Sequence, residues 1–545
     1  MILKKNDIFE AEIIDYTSEG SGICRIEGIA VFVPDTAVGD RAEIRIVKTA
    51  KNYAFGRLEK IISPSAERCQ PDCGIFRKCG GCTFRHISYD AELDFKQKRV
   101  TDALTRIGGV KKDLITGIVG SDKISGYRNK AQLPLCNDPD GRIRTGFFAP
   151  RSHRVIPLTE CALQTPVFNR AAEIFLEWAN SRSLSVYDER EHKGVLRHLY
   201  LRSAEKTGEL MVCVVANADS LPGEDELVGM LRESLPGLKT VVLNINKDKT
   251  NVIVGKKCRS LWGEGYITDE LCGHSFRISP LSFYQVNRDQ AERLYGIAGE
   301  LAGISKHETL IDMYCGTGTI GLSMASKVKK LIGVEIIPQA VEDAKKNAAA
   351  NGITNAEFIC ADAAVAAAQL RADEIKADCI VLDPPRKGCS AELIETVVSM
   401  SPKRIVYVSC DPATLARDIS IFTKHDYNVQ KAVPVDMFPR TAHVETCVLL
   451  SHQDVDEWVY IDYEPENSDY LKNCNFQATY GEITEWVMKT YGEHVSNLNI
   501  AQIKDKCGFE KRENYNKGKE GHRIPKCPPE KEKMILEAFK HFNMI

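Results

Sequence analysis

The chain reads as an α/β protein built on a doubly wound sheet. A small OB-like β-barrel and a strand-rich insert precede that sheet, and a short helical extension follows it. Three observations carry this reading. From Thr309 onward strand-like and helix-like text alternate, with candidate strands at 309–314, 330–335, 356–360, 378–382 and 404–408 and helices starting near Ile320, Pro338, Ala363, Ala391 and Ala413. Residues 1–62 alternate polar and apolar side chains between turn glycines. At 545 residues the chain is too long for one core and divides into several domains.

Taken in order, Val31-Phe32-Val33-Pro34 and Ala42-Glu43-Ile44-Arg45-Ile46 are short strands, punctuated by Gly20, Gly22, Gly28 and Gly39-Asp40. They predict a five-stranded barrel over 1–62, an architecture common in nucleic-acid binding. A central region, 63–275, opens with a cysteine cluster: Cys73, then Cys79-Gly80-Gly81-Cys82, with Cys161 far downstream. Four thiolates hold either tetrahedral zinc or a [4Fe-4S] cluster. Zinc usually shows two paired knuckles, whereas this is one triple and a distant single. Cys69 is a further thiol that could exchange with Cys73. A helix follows at 90–107, with Leu93, Val100, Leu104 and Ile107 on one face. Residues 120–275 are strand-rich, as in Leu210–Val215 and Val241–Ile245, and pattern alone gives them no function. After the α/β region, 276–452, comes an extension, 453–545. It carries acidic Asp454–Glu457, amphipathic Ile483–Met488, the segments 500–508 and 514–517, and a closing helix announced by Pro528-Pro529.

Composition narrows the class. Hydrophobic residues make up 43% of the chain and charged residues 27%, as in an ordinary globular protein. A formal charge of -3 gives no global argument for nucleic acid, so any such surface is local; Arg142, Arg144, Arg151 and Arg154 are one candidate patch. No apolar run approaches the ~20 residues that span a bilayer, and the first residues lack the apolar core of a signal peptide. Nineteen cysteines in such a chain point to reduced thiols and a metal site rather than to a disulfide framework. A cytoplasmic monomer is expected.

The first strand of the α/β region runs into Cys315-Gly316-Thr317-Gly318-Thr319-Ile320-Gly321, a GxGxxG turn that lets backbone approach a ligand. Glu335 closes the second strand, where a carboxylate accepts from ribose hydroxyls. This much fits NAD as well as S-adenosylmethionine (SAM). Asp362 after the third strand and Asp383-Pro384-Pro385 after the fourth break the tie, because D-P-P is typical of methyl transfer and foreign to hydride transfer.

Together, Asp383-Pro384-Pro385-Arg386-Lys387-Gly388, Ser409-Cys410-Asp411-Pro412 and Phe438-Pro439-Arg440-Thr441-Ala442-His443-Val444-Glu445 resemble the motifs of the SAM-dependent RNA uracil-C5 methyltransferases. The run Glu19-Gly20-Ser21-Gly22-Ile23, with Val33-Pro34 and Gly39-Asp40, resembles the RNA-binding TRAM domain. The resemblance implies a Rossmann-like SAM methyltransferase domain over 276–452, with Gln285, Tyr314, Thr319, Glu335, Asp362 and Asp383 lining the pocket for SAM or the target base. It implies Cys410 as nucleophile and Glu445 as the general base, with His443 orienting or structural. Asp411 stands where relatives often carry Asn. The chemistry agrees: uracil C5 is too weak a nucleophile alone, a thiolate adding at C6 activates it, and a base must then remove the C5 proton. A stacked uridine hides C5 and C6, so the target is expected to be flipped out. Reactive thiols also call for an exposed turn that lowers their pKa.

The Cys-x5-Cys-Gly-Gly-Cys loop resembles the rRNA branch of that family. It implies a [4Fe-4S] cluster on Cys73, Cys79, Cys82 and Cys161, and 23S rRNA as the partner, with neither DNA nor membrane. The alternatives are a tRNA T-loop uridine or a non-catalytic RNA-binding or ribosome-assembly role.

Overall fold

Alternating side chains build the first sheet, in a computed structural model that describes residues 3–158, 160–452, 480–507 and 527–542. Its strands are β1 (Ile8–Glu12), β2 (Asp15–Tyr16), β3 (Gly22–Ile26), β4 (Ile29–Val33), β5 (Arg41–Thr49) and β6 (Tyr53–Ser63). They lie in the order β1-β5-β6-β4-β3-β2. Every second residue points inward, so Cys24, Ile26, Val31, Val33, Ala42, Ile44 and Ile46 share one core. Six strands stand where the pattern predicts five; the extra one, β2, has two residues and is too short to alternate visibly.

Helix α1 (Tyr89–Arg106) starts at Ser88, whose side chain accepts from the Ala91 N–H at 3.2 Å. Val100 and Leu104 are fully buried in the same cluster as Leu415, Ala416 and Ile419, more than 300 residues later. A Leu buried this way contributes about 1.5–3 kcal/mol. Ile107, expected on the same face, is instead the exposed C-cap. The buried stripe takes Glu92, Phe95 and Lys96 in its place, because an ion cluster described below compensates the two charges.

A second sheet follows: β7 (Lys130–Asn137), β8 (Ile143–Phe148), β9 (Val155–Pro157), then α2 (Val167–Ser181), β10 (Leu196–Ser203), β11 (Leu210–Ala216), α3 (Glu224–Ser234), β12 (Leu238–Ile245) and β13 (Lys257–Trp262). Its order is β13-β12-β11-β10-β7-β8-β9. One face (Leu199, Leu201, Val212, Val214, Val241, Leu243) shares a core with Phe175 and Trp178 of α2 and Leu227 and Leu231 of α3. The other (Tyr200, Met211, Cys213, Val215, Val242) belongs to a core shared with the hairpin β14 (Ile267–Leu271) and β15 (His274–Ile278) and with α4 (Arg288–Ala302). Burial on both faces is why these strands read as unbroken apolar runs.

The third sheet alternates as predicted. It comprises β16 (Thr309–Met313), α5 (Thr319–Met324), β17 (Lys330–Glu335), α6 (Pro338–Ala350), β18 (Ala356–Cys360), α7 (Ala363–Ala372), β19 (Cys379–Leu382), α8 (Ala391–Ser399), β20 (Arg404–Ser409), α9 (Pro412–Thr423), β21 (Tyr427–Val435) and β22 (Glu445–His452). The order is β18-β17-β16-β19-β20-β22-β21, with β16 to β20 parallel and β22 antiparallel to both neighbours. This is a Rossmann-like doubly wound sheet, whose strand order reverses between β16 and β19; ligands of such sheets bind at that switch, at the carboxyl edge.

The chain divides into two units, residues 1–461 and 462–545. The second holds α10 (Tyr480–Tyr491), α11 (Asn497–Lys506) and α12 (Pro529–His541) around Ile483, Val487, Ile500, Ile503, Ile535 and Phe539. Pro528 caps α12 as the sequence predicts. Residues 454–457 and 514–517 lie outside the described residues. Among the described residues no helix is long and apolar enough to cross a membrane.

Candidate active site

Strand register brings the thiol and the carboxylate together. Along the antiparallel pair β20 and β22, Arg404 faces Ser451 and Ser409 faces Thr446. The next residues beyond that pair are Cys410 and Glu445, and the Glu445 carboxyl is near enough to act on the Cys410 thiol. Because β22 runs backward, its first residue sits at the same edge as the last residues of the parallel strands. That edge carries Tyr314 after β16, Glu335 at the end of β17, Asp362 after β18, Asp383 after β19 and Cys410 after β20.

The turn after β16 is a cradle. Tyr314 has φ +68°, Gly316 φ +56° and Gly318 φ +85°; the left-handed backbone at Gly318 favours glycine there. Glu335 lies across this turn, accepting from the Gly316 N–H at 3.1 Å and the Ile337 N–H at 2.9 Å. Thr319 is buried, its hydroxyl 3.3 Å from that of Tyr295. Asp362 caps α7, accepting from Ala364 N–H at 3.0 Å. Gln285 is held by its backbone, whose carbonyl accepts from the Asn129 side-chain amide at 2.9 Å. Phe283 (63% exposed), Ile336 (60%), Ile337 (56%) and Val365 (64%) are large apolar residues left uncovered in the segments beside this edge. Strand-end carboxylates, a glycine turn and an open apolar lip suit a ligand that combines ribose with a flat ring.

The edge is crowded with acid. Burial raises the Glu445 carboxyl to about 8, and Asp383 adds to the effect while Arg386 opposes it. Burial alone takes Asp383 to about 7. Asp312, a fully buried carboxyl inside β16, is raised to about 8 by burial despite accepting from Gly321 N–H at 2.8 Å, and its Oδ1 has no partner. Three acids facing one opposing cation, Arg386, favour a positively charged occupant. The Cys410 thiol differs from expectation. Burial first, then Glu445 and Asp383, push it up to about 11, with Arg386 opposing. The turn leaves the thiol half-buried and does not lower its pKa, because burial and then the neighbouring carboxylates oppose the thiolate.

The segment between β21 and β22 is clamped by groups the sequence does not announce. Lys96, fully buried, donates to Glu92 Oε1 at 2.6 Å, Asp436 Oδ1 at 2.7 Å and the Phe438 carbonyl at 3.2 Å. Tyr89 donates to Asp436 Oδ2 at 2.7 Å. Tyr127 donates to the Pro439 carbonyl at 2.9 Å and Asn287 to that of Met437 at 3.1 Å. Arg440 sits at φ +69°, its N–H held by Glu92 at 2.7 Å. Removing one partner from a buried pair of this kind costs about 3–5 kcal/mol. His443 is exposed beside this segment, its ring edge toward Phe438. The only sequence trace of the clamp is Glu92 and Lys96, four apart on an otherwise apolar helix face.

Cys73, Cys79, Cys82 and Cys161 line one cavity, with Phe76, Arg85 and Arg128. Gly81 N–H points at the Cys79 sulfur at 3.3 Å and Arg85 Nε at that of Cys82 at 3.4 Å. Cys69 lies outside this cavity and is exposed, its thiol directed at the Arg85 carbonyl. Among the described residues no group of three His, Cys, Asp or Glu could hold a metal ion. Of the arginine patch all four are exposed, but Arg144 is paired with Asp138 at 2.8 Å.

Residues 256–453 match the family model described as tRNA (Uracil-5-)-methyltransferase, and residues 3–58 match that of the TRAM domain. The chain is 43% identical over 450 residues to an uncharacterized RNA methyltransferase of Clostridium tetani, covering 83% of this chain and 97% of that one. It is 42% identical over 448 residues to another from Halalkalibacterium halodurans, covering 82% and 98%. Among solved structures, the Pyrococcus abyssi tRNA (uracil-54, C5)-methyltransferase in complex with S-adenosyl-L-homocysteine superposes with a TM-score of 0.65 at 29% identity. That match covers 81% of this chain and all of the other.

Proposed function

We propose a target and a mechanism for this chain, which belongs to the SAM-dependent RNA uracil-5 methyltransferase family. The target is a uridine of 23S rRNA and the product 5-methyluridine, made by a cytoplasmic monomer in which 276–452 is the catalytic domain. The observation that carries the mechanism is the β20–β22 pairing that ends beside Cys410 and Glu445, whose carboxyl acts on the thiol at the ligand edge. Cys410 adds to C6 of the flipped uracil, raising electron density at C5. When bound, SAM supplies the electrophilic methyl group that C5 takes. Glu335, Tyr314, Thr319 and Gln285 would hold it, Asp362 would address its adenine, and the acids Asp312 and Asp383 would favour its positive charge. Glu445 then removes the C5 proton, and the Cys410 sulfur leaves as the C5–C6 double bond reforms.

Support for rRNA comes from the four-thiol cavity. Structural zinc usually takes its four sulfurs from two paired knuckles, and one triple with a distant single is not that pattern. A [4Fe-4S] cluster spreads its four thiolates over the corners of a cube, and Cys73, Cys79, Cys82 and Cys161 around one cavity suit that. The group would hold together the loop 73–82 and the segment around Cys161. In anaerobically purified protein, iron and acid-labile sulfide are expected in equal amounts, with both nearly absent from Cys82→Ser. Zinc without sulfide would reject the assignment.

The likeness to the Pyrococcus abyssi enzyme favours a second reading, a tRNA target. Incubation with labelled SAM and either unmodified 23S rRNA or unmodified tRNA separates them. Label recovered as 5-methyluridine from 23S rRNA alone is the expected result; label in tRNA alone would establish the second reading, and label in neither would sink both.

A further inference from the structure

Arg99 reaches from α1 to both segments that bear the proposed reacting groups. Its Nη1 donates to the Ala442 carbonyl at 2.7 Å, three residues before Glu445. Its Nη2 donates to Asp411 Oδ2 at 3.3 Å, one residue after Cys410. The two oxygens of Asp411 divide the work: Oδ1 caps α9 by accepting from Ala413 and Thr414 N–H at 3.0 and 2.9 Å, which leaves Oδ2 for the guanidinium. One turn earlier on α1, Lys96 fixes the far end of the same segment at Asp436 and Phe438. Residues 436–442 are thus anchored to α1 at both ends, and the start of α9 is joined to that anchor through Arg99. Arg99 makes these two contacts through two separate nitrogens of a planar fork, whereas a lysine there would offer one nitrogen to both acceptors.

We infer that Arg99 is a positioning residue that sets the approach of Cys410 to Glu445, so that thiol addition and proton removal act on one uracil ring. The inference rests on the roles proposed for those two residues. The Arg99 side chain is 17% exposed, so the melting temperature of each variant is measured beside its activity.

The test uses the full chain and whichever RNA the wild type methylates, with Arg99→Lys and Asp411→Ser. Lysine keeps the charge without the span, and serine keeps the helix cap without the anion. Each variant is expected to lose roughly 100-fold in kcat, the scale of an ångström of misplacement, while KM for SAM stays within about twofold. The double variant is expected to be no worse than either single one, because both break one connection. With RNA containing 5-fluorouridine, whose C5 carries no removable proton, the variants are expected to form the covalent adduct more slowly by a similar factor. A kcat for Arg99→Lys within threefold of wild type, losses that multiply in the double variant, or a loss tracking only a lowered melting temperature would overturn the inference. Full activity of Cys410→Ala on the same RNA would instead remove the reading beneath it, and the inference with it.

Discussion

Replacing Cys410 by alanine is expected to abolish 5-methyluridine formation, a fall of at least about 10⁴-fold, which is about 5 kcal/mol of transition-state stabilisation. Without addition at C6, ring carbon C5 has no electron density to offer and no neighbouring group can substitute. Cys410→Ser keeps the shape and is expected to be equally inactive, since a hydroxyl ionises far less readily than a thiol. Even the thiol is poorly ionised where it sits, half-buried beside these carboxylates. With its pKa near 11, only about one molecule in ten thousand carries the thiolate at pH 7. The cause is burial beside Glu445 and Asp383, so a cation arriving among those acids lowers the thiol pKa and activates it when the methyl donor is in place. Mass spectrometry of digested RNA measures the product. More than a percent of wild-type 5-methyluridine from either variant would count against nucleophilic catalysis.

Much of this site is legible in the sequence because its residues end strands. A carboxylate at the end of an apolar run, as in Gly333-Val334-Glu335 or Leu382-Asp383-Pro384, cannot be part of a core and so marks the sheet edge. The four inner parallel strands show by the same logic, since both their faces are buried, whereas the edge strand β18 has no fully buried residue. What did not show is whatever depends on contacts between distant segments. The opposition of Cys410 and Glu445 follows from β22 being antiparallel, a register that neither segment encodes by itself. Asp312 is a lone acid within an apolar strand and reads there as an exception. Helix α1 shows an apolar stripe, but Lys96 and Arg99 look like solvated charges until residues 436–442 arrive to pair with them. The number of barrel strands fails for a plainer reason, as two residues of β2 carry no period.

Glu445→Gln is expected to stall the reaction after the methyl group has moved. Turnover should fall by about 10²- to 10⁴-fold, the range for losing a positioned general base, while a covalent complex of protein and RNA accumulates. Two effects of one substitution combine here. Glutamine cannot take the C5 proton, so the sulfur cannot leave. It also carries no negative charge, and Glu445 is one of the groups that hold the Cys410 thiol up, so addition becomes easier as elimination fails. The pH dependence follows from the same residue. Its folded pKa, about 8, lies above the ordinary carboxyl value of 4.5, so the base form gains population as pH rises through about 8. Wild-type kcat/KM is therefore expected to fall as pH drops from 8 toward 6, and the yield of trapped adduct in Glu445→Gln to lose that part of the dependence. The sign for stability is opposite. A folded state that keeps a proton the unfolded chain gives up loses stability as pH rises from about 4.5 through 8. Glutamine removes that loss, so the variant is expected to melt no lower than wild type at pH 8.5, and a missing fold does not explain a missing product. A denaturing gel of labelled RNA reads the adduct directly: turnover without any adduct would assign proton removal to another group, and Asp383, the other acid beside Cys410, would be the first to replace.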